Sequence, residues 1–460
     1  MSGLIPEILQ TELLQEVLAQ TREPSSAAVS EILDRARDKK GLALRDVGYL
    51  ANLKEPELVR KLFHAAAVIK REIYGERLVF FAPLYISDYC VNDCEYCNFH
   101  AGNKQLARRK LTMAEVGAQT AFLIDQGHKR ILLEAGEDPV NNDIEYIVDA
   151  INKIYSVRTP KGNIRRINVN IAAATVENYR KLKGAGIGTY QLFQETYHRP
   201  TYERLHCGPK ADFERQITAH LRAFEAGIDD VGVGALFGLY DWRFEALALV
   251  AHSQYLEKTN NAGPHTISVP RICAAPTVDY KPQYPVSDDD FLKLIAILRL
   301  AVPYTGIILS TRERPEVRKL AFKIGISQAS SGSVAVTGGY GKKERQPQFT
   351  INDERSMQDV ISDVIKDNHL PSFCTACYRS GRTGERFMAL ARPGDIHKLC
   401  RPNAIITFAE YLTDCATDEL RKKGGRLIEE SVNGIEELPL RRETRNRLAR
   451  IAAGERDIYF

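Results

Sequence analysis

The chain has 460 residues, of which 44% are hydrophobic and 27% are charged. This composition is ordinary for a globular protein and excludes collagen, a coiled coil and a mostly disordered chain. With 63 basic against 59 acidic residues the net charge is +4, which argues against nucleic acid as the main partner, because phosphate binding needs a surplus of Lys and Arg on one face.

The N-terminus and the apolar runs indicate where the protein works. The first fifteen residues contain Glu7 and Glu12 and no basic segment before an apolar run, so they do not resemble a secretory signal. No stretch approaches the ~18 apolar residues that a membrane span needs. We therefore expect a cytoplasmic protein without membrane contact, whose nine cysteines stay reduced. Clustered cysteines in such a protein bind metals or do chemistry more often than they form disulfides.

Residues 1–76 are predicted to form an N-terminal helical extension. Ser25 and Ser26 precede a periodic apolar segment over residues 28–37, and the same style continues over residues 46–64. Apolar residues that recur every three or four positions are typical of a helix with one buried face.

From residue 77 onwards, short apolar runs alternate with amphipathic helices. The eight runs cover residues 78–86, 130–133, 167–171, 189–193, 230–235, 266–269, 306–309 and 325–329. Eight strand–helix units over about 260 residues match the length of a (β/α)8 barrel. We therefore predict an α/β fold in which residues 77–340 form a complete TIM-type barrel. A doubly wound open sheet remains the alternative, since both folds share this alternation.

Two of the intervening helices have well-marked ends. Thr112 and Glu115 form a capping box at the start of the first, and Gly127 stops it. The second begins at Ser287 with three acidic residues in its first turn and has Pro303 beyond its end.

After residue 340 the alternation of strands and helices stops. Residues 341–460 are predicted to form a mostly helical C-terminal domain. The basic segment over residues 441–450 is interleaved with Glu443 and Leu448, which indicates a solvated helix face rather than a nucleic-acid patch.

The first cysteine cluster follows the first predicted strand in the segment YCVNDCEYC. Its spacing is C-x3-C-x2-C, formed by Cys90, Cys94 and Cys97. In a barrel this loop lies at the C-terminal face, where such folds carry their chemistry. Three thiolates can hold three irons of a [4Fe–4S] cluster and leave the fourth open to a substrate or cofactor. A zinc site with His100 as fourth ligand is the alternative.

The second cluster has the spacing C-x2-C-x22-C, formed by Cys374, Cys377 and Cys400. A structural zinc site completed by His397, three residues before Cys400, is one interpretation. The other is an incompletely ligated auxiliary iron–sulfur cluster in the C-terminal domain, whose open iron would be a second reaction centre.

The first motif, with Tyr96 before its last cysteine, resembles that of the radical S-adenosylmethionine (SAM) enzymes. The resemblance implies that the cluster binds SAM and that the three cysteines are catalytic. The segment LLEAGEDP resembles the Gly-Gly-Glu motif that holds the SAM amino group, with Ala135 in place of the first glycine. The SAM contacts implied in this way are Tyr96, Gly136, Glu137 and Glu195. For Glu195, a solvated loop carboxylate is the alternative.

The two clusters together, with the segments CTACYR, GRTGE and FM, resemble the radical SAM tyrosine lyases of [FeFe]-hydrogenase maturation. The related tyrosine lyases of thiamine biosynthesis lack the C-terminal motif. The resemblance implies cleavage of the Cα–Cβ bond of L-tyrosine to p-cresol and a dehydroglycine-like fragment, which yields CO and cyanide at the auxiliary cluster. The implied cofactors are two [4Fe–4S] clusters, SAM, an additional iron and free cysteine.

The same resemblance suggests further ligands and partners. His265 is implied as a ligand of the additional iron, although a lone histidine is more often structural. Arg312 and Ser310, after the seventh strand, are candidate tyrosine contacts, with Arg271 as a rival. Arg312 could instead pair with a neighbouring glutamate, Glu313 or Glu316.

The implied partners are an electron donor such as ferredoxin or flavodoxin and other hydrogenase maturases. An iron–sulfur scaffold or carrier protein is the alternative from another class. The remaining cysteines, Cys207, Cys273 and Cys415, are expected to be small buried hydrophobic residues.

Overall fold

The structure is a computed structural model that describes residues 9–342 and 346–460. Residues 1–8 of the predicted N-terminal extension and residues 343–345 of the predicted C-terminal domain lie outside the described residues. Four helices precede the barrel: α1 (Thr11–Gln20), α2 (Ser26–Ala36), α3 (Leu44–Ala51) and α4 (Pro56–Tyr74). Residues 46–64, expected to be helical, belong to two helices, α3 and α4. Pro56 starts the second of them at a position where its missing N–H is harmless, and the residue before a proline disfavours helix.

Eight parallel strands close into a barrel. They are β1 (Arg77–Ser87), β2 (Arg130–Ala135), β3 (Arg166–Asn170), β4 (Tyr190–Gln191), β5 (Val231–Gly234), β6 (Thr266–Ser268), β7 (Gly306–Leu309) and β8 (Gln328–Ser330). Each strand pairs with the next, and β8 pairs with β1. This closure confirms the predicted (β/α)8 barrel and excludes the doubly wound open sheet.

Helices surround the strands on the outside of the barrel. They are α5 (Met113–Asp125), α6 (Ile144–Ser156), α7 (Val176–Gly184), α8 (Arg199–Leu205), α9 (Phe213–Ile217), α10 (Ala219–Glu225), α11 (Trp242–Asn260), α12 (Asp288–Ala301) and α13 (Pro315–Ile324). Both predicted helix starts are confirmed: Thr112 and Glu115 form the capping box of α5, and the Ser287 side chain caps α12.

The C-terminal part is mostly helical, as predicted, but it also contributes a strand. Its elements are α14 (Met357–Lys366), β9 (Leu370–Ser372), α15 (Ala376–Arg379), α16 (Gly384–Ala391), α17 (His397–Asp414), α18 (Asp418–Asn433) and α19 (Leu438–Ala452). Strand β9 pairs in parallel with the start of β1, Arg77 opposite Leu370 and Val79 opposite Ser372. Since Cys374 lies two residues after the end of β9, this pairing brings the second cysteine motif to the N-terminal end of the barrel. Among the described helices, none is both long enough and apolar enough to span a bilayer.

Candidate active site

A cavity of about 220 Å³ opens at the C-terminal end of the barrel strands. It is lined by all three cysteines of the loop after β1, namely Cys90, Cys94 and Cys97. Backbone hydrogen bonds hold this loop in its shape: the N–H of Val91 donates to the Glu137 carbonyl at 2.7 Å, and the N–H of Glu95 donates to the Leu205 carbonyl at 3.1 Å. The structure thus brings the first predicted trio together on one wall of one cavity.

Burial favours the protonated form of two of these thiols, Cys94 and Cys97. It raises the pKa of Cys97 to about 11 and moves the pKa of Cys94 upwards as well. The thiolates would therefore form when a metal centre replaces the protons, as metal–thiolate bonding requires. His100, the proposed fourth zinc ligand, instead has its Nδ1 2.6 Å from an Asp93 carboxylate oxygen and does not line the cavity.

Among the described residues, no group of three His, Cys, Asp or Glu side chains has the geometry for a single metal ion. The fit to a metal centre therefore rests on the number and chemistry of the donors. Three thiols without a histidine match the three cysteine ligands of a [4Fe–4S] cluster with one open iron.

The four candidate SAM contacts line the same cavity: Tyr96, Gly136, Glu137 and Glu195. At Gly136 a Cβ atom would lie 2.4 Å from the Tyr89 carbonyl oxygen, so only glycine allows the β2 loop to approach the cysteine loop. Glu137 accepts hydrogen bonds from Asn92 at 2.7 Å and from Arg215 at 2.6 Å.

Two of these contacts have clearly defined partners. Glu195 has a left-handed backbone, with φ of 66°, and its carboxylate pairs with Lys210 at 2.6 Å. Glu195 is thus a cavity carboxylate in an ion pair rather than a solvated loop residue. The hydroxyl of Tyr96 lies 2.8 Å from Nε2 of His206.

The candidate substrate-binding residues differ in whether they line the cavity. Arg312 and Ser310 line the cavity, and the Arg312 guanidinium lies 3.3 Å from the centre of the Phe349 ring. Arg271 does not line it. Its guanidinium contacts Glu313 at 3.0 Å and Asp288 at 2.8 Å. The pairing with Glu313 considered for Arg312 is therefore made by Arg271.

Sequence analysis missed two charged groups in this cavity, namely Lys210, which pairs with Glu195, and Glu134 on β2. Burial raises the pKa of this carboxyl to about 8, and its hydrogen-bond donor is the Asn170 amide at 3.2 Å. The available signal was a carboxylate directly after the apolar run at residues 131–133, at an inward position of β2. An apolar layer of Phe81, Leu132 and Ile308 lies beside it.

A second cavity, of about 40 Å³, lies at the opposite end of the barrel. Its wall contains the second trio, Cys374, Cys377 and Cys400, together with His265. The Cys400 thiol donates a hydrogen bond to Cys377, which lowers the pKa of Cys377 to about 6 and raises that of Cys400. His397, the proposed zinc ligand, has its Nδ1 2.7 Å from the Gly394 carbonyl and is not part of this wall.

Positive charge surrounds the second trio. Arg77, Arg130 and Arg166 start strands β1, β2 and β3 and line the cavity. Arg166 pairs with Asp230 at 3.0 Å, whereas Arg130 donates to the neutral oxygens of Gln328 and Cys374, each at 3.0 Å. Arg77 and Arg130 act to lower the pKa of Cys374, but burial outweighs them and raises it, so that Cys377 alone of the three thiols has a lowered pKa.

His265 precedes β6 at the edge of the second cavity. Its Nδ1 lies 3.6 Å from an Asp230 carboxylate oxygen, and its ring lies 4.3 Å from that of Phe387. Burial lowers the pKa of His265 to about 4, so the imidazole is neutral near pH 7. Neutral imidazole is the form that binds a metal.

The three other cysteines line neither cavity. Cys273 and Cys415 are half-buried, but Cys207 is exposed. The expectation of a buried hydrophobic residue is therefore wrong for Cys207, whose side chain lies on the surface just beyond the helix that carries Leu205.

Comparison with known proteins gives consistent results. Residues 84–250 match the radical SAM superfamily, and residues 268–369 match the biotin and thiamin synthesis associated domain. The crystal structure of HydG, a maturase of the [FeFe]-hydrogenase, is 49% identical with a TM-score of 0.96 and covers 99% of this chain and 100% of that one. The HydG structure from Carboxydothermus hydrogenoformans is 40% identical with a TM-score of 0.86, covering 97% and 100%. The 2-iminoacetate synthase of Escherichia coli K12 is 28% identical over 77% of this chain and 93% of its own length.

Proposed function

Because the chain belongs to the HydG family of radical SAM enzymes, we propose that it cleaves L-tyrosine and supplies CO and cyanide for assembly of the [FeFe]-hydrogenase active site. Membership of this family makes the chain a radical SAM lyase. One observation carries the proposal: two cysteine trios lie at opposite ends of a single barrel, each on the wall of its own cavity.

Cys90, Cys94 and Cys97 are the residues that would hold the SAM-binding [4Fe–4S] cluster. Gly136, Glu137, Glu195 and Tyr96 are the proposed SAM contacts on the same wall. The chemistry available at this centre, once loaded, is the one-electron cleavage of SAM that permits hydrogen abstraction. The chain's own part is to bury Cys94 and to hold the loop against Glu137 and Leu205, which keeps water away from a reactive species.

Tyrosine is proposed to bind in the first cavity through Arg312 and Ser310. A guanidinium can hold a carboxylate by two parallel hydrogen bonds, and Arg312 has an aromatic ring beside it rather than a carboxylate. Arg271 is a poorer candidate because its guanidinium already forms ion pairs with Glu313 and Asp288. Cleavage of the Cα–Cβ bond gives p-cresol from the ring half and a dehydroglycine-like fragment from the other.

Cys374, Cys377 and Cys400 would hold an auxiliary [4Fe–4S] cluster, and His265 would bind an additional iron, with free cysteine as part of the assembly. Soft thiolates and a neutral imidazole suit iron, and the chemistry available there is the binding of CO and cyanide. The arginines on this wall would offset the negative charge of the thiolates that bind the iron. We further propose an electron donor such as ferredoxin or flavodoxin, and other hydrogenase maturases as acceptors of the product.

Product analysis tests this proposal directly. Anaerobic protein with both centres reconstituted, given SAM, dithionite and L-tyrosine, is expected to release 5′-deoxyadenosine, p-cresol, CO and cyanide. Release of p-cresol without CO and cyanide would instead assign the thiamine-pathway activity. Absence of 5′-deoxyadenosine would favour an iron–sulfur carrier.

A further inference from the structure

The position of Glu134 along the barrel axis is defined by its neighbours on β2. It lies two residues beyond Leu132 on β2, so both side chains point to the same face of the strand, into the barrel. Leu132 packs with Phe81 and Ile308 in the apolar layer. Glu134 is therefore nearer than this layer to the mouth that carries the cysteine loop. Arg312 is on the same side of the layer, because it lies four residues beyond Ile308 and past the end of β7.

The protein supplies no cationic partner for Glu134 among the described residues. The other two glutamates of this cavity have cations: Glu137 pairs with Arg215 and Glu195 pairs with Lys210, both at 2.6 Å. Among the described residues, Glu134 forms no ion pair and has only the Asn170 amide, at 3.2 Å, as a donor. An ionised carboxylate held out of water without a cation is unfavourable, which is why burial raises the pKa of Glu134 to about 8. A ligand that brings a cation would favour the ionised form.

The groups around Glu134 allow such a ligand. Asn170 faces it from β3, Tyr85 from β1, Arg312 from the loop after β7 and Glu195 from the loop after β4. The charge of Arg312 acts on the Glu134 carboxyl, but its guanidinium lies against Phe349 rather than in contact with that carboxyl. An unpaired carboxyl and an unpaired guanidinium on one cavity wall are complementary to the two charges of an α-amino acid.

We propose that Glu134 binds the α-ammonium group of the substrate while Arg312 binds its α-carboxylate, so that the cavity selects zwitterionic amino acids. This inference rests on the proposed tyrosine lyase activity. The aromatic ring of the substrate then lies against the layer of Phe81, Leu132 and Ile308, and the amino group lies on the side of that layer that carries the cysteines. Glu134 is a binding residue that orients the amino group for the reaction.

Binding measured without turnover tests the inference. L-tyrosine is compared with 3-(4-hydroxyphenyl)propanoate, which lacks only the amino group, on reconstituted protein with SAM and without reductant, by isothermal titration calorimetry. We expect Glu134→Gln to weaken tyrosine binding about 10- to 100-fold, as for loss of a charge-assisted hydrogen bond, and to change propanoate binding by less than about threefold. Glu257→Gln, a half-buried carboxylate outside the cavity, is the matched control and should change neither.

Two outcomes would overturn the role of Glu134: unchanged tyrosine binding in Glu134→Gln, or equal losses for both ligands, which would indicate a structural effect. Glu134→Asp, which keeps the charge but shortens its reach, should retain part of the preference for tyrosine. If the wild-type protein gave p-cresol but Glu134→Gln kept the full preference, only this inference would fail. If the wild type gave no p-cresol at all, the proposed function itself would fail.

Discussion

Arg165 and Glu410 form a buried ion pair that joins the barrel to the C-terminal helices. Arg165 directly precedes β3, Glu410 lies on α17, and Nη1 of the arginine is 3.0 Å from Oε2 of the carboxylate. The side chains are only 4% and 2% exposed. Lys129 lies 3.8 Å from the same carboxylate, and Asp457 lies 3.0 Å from the Arg165 Nε. Glu410 is thus shared by two cations at the junction that carries the second cysteine trio, and Asp457 is a second partner of Arg165.

Removing that carboxylate should loosen the junction. Glu410→Ala leaves Arg165 and Lys129 buried without their main partner, so we expect a loss of about 3–5 kcal/mol in the free energy of unfolding. Urea denaturation measures it. Glu419→Ala is the control, since its pair with Lys423 is 78% exposed on the glutamate side and exposed ion pairs contribute little to stability. Equal losses in the two variants would contradict the role of this ion pair.

The first cysteine trio should be indispensable for SAM cleavage. Cys94→Ala removes a buried thiol of the first cavity, so we expect no 5′-deoxyadenosine above background when dithionite and SAM are supplied. The iron at the second trio should remain. Cys207→Ala, an exposed cysteine outside both cavities, should behave like the wild type. Normal 5′-deoxyadenosine formation by Cys94→Ala would show that the trio serves another purpose.

His265 should control the additional iron at the second cavity. Its neutral imidazole lies on the same wall as the second trio, so we expect His265→Ala to lower the iron content by about one atom per chain and to change the EPR spectrum of the auxiliary centre. His397→Ala is the control, because His397 contacts the Gly394 carbonyl instead. If His397→Ala lost metal and His265→Ala did not, the zinc interpretation of this motif would be preferred.

Buried Glu245 on α11 should make stability depend on pH. Its carboxyl accepts hydrogen bonds from the N–H of Tyr197 at 2.9 Å and from the Thr196 hydroxyl at 2.5 Å, and burial raises its pKa from 4.5 to about 8. Between these values the folded chain keeps a proton that the unfolded chain has lost, so this group makes stability fall as pH rises through that window.

Glu245→Gln removes this titration. We expect the melting temperature of the variant relative to the wild type to increase between pH 5 and pH 8. The variant and the wild type are both measured in buffers of equal ionic strength. A difference that does not change with pH would mean that Glu245 is not protonated in the folded chain.

Much of this organisation could be predicted from the sequence, because it depends on local patterns. Alternating apolar runs predicted the eight strands, and the spacing of Cys90, Cys94 and Cys97 predicted a loop with three inward thiols. The ninth strand could not be predicted, since Leu370–Ser372 is three residues long, contains a proline and is defined only by its pairing with β1.

The ion-pair partner of each arginine could not be predicted from the sequence either. Arg271 and Arg312 each follow a predicted barrel strand, so the sequence does not distinguish their roles. The folded chain shows that Arg271 is the one paired with Glu313. The exposure of Cys207 and the position of Glu134 beside Asn170 likewise depend on long-range packing. Local patterns therefore predict secondary structure and motifs, whereas the ion pairs, burial and protonation of individual side chains depend on tertiary contacts.

The division of labour between the two ends of the barrel is the central claim, and product analysis of Cys377→Ala tests it most directly. Cys377 lines only the second cavity, so the variant should still cleave tyrosine to p-cresol while CO falls to background. Cys415→Ala, in the same part of the chain but outside that cavity, should give both products. Normal CO formation by Cys377→Ala would contradict the account and make the second trio structural.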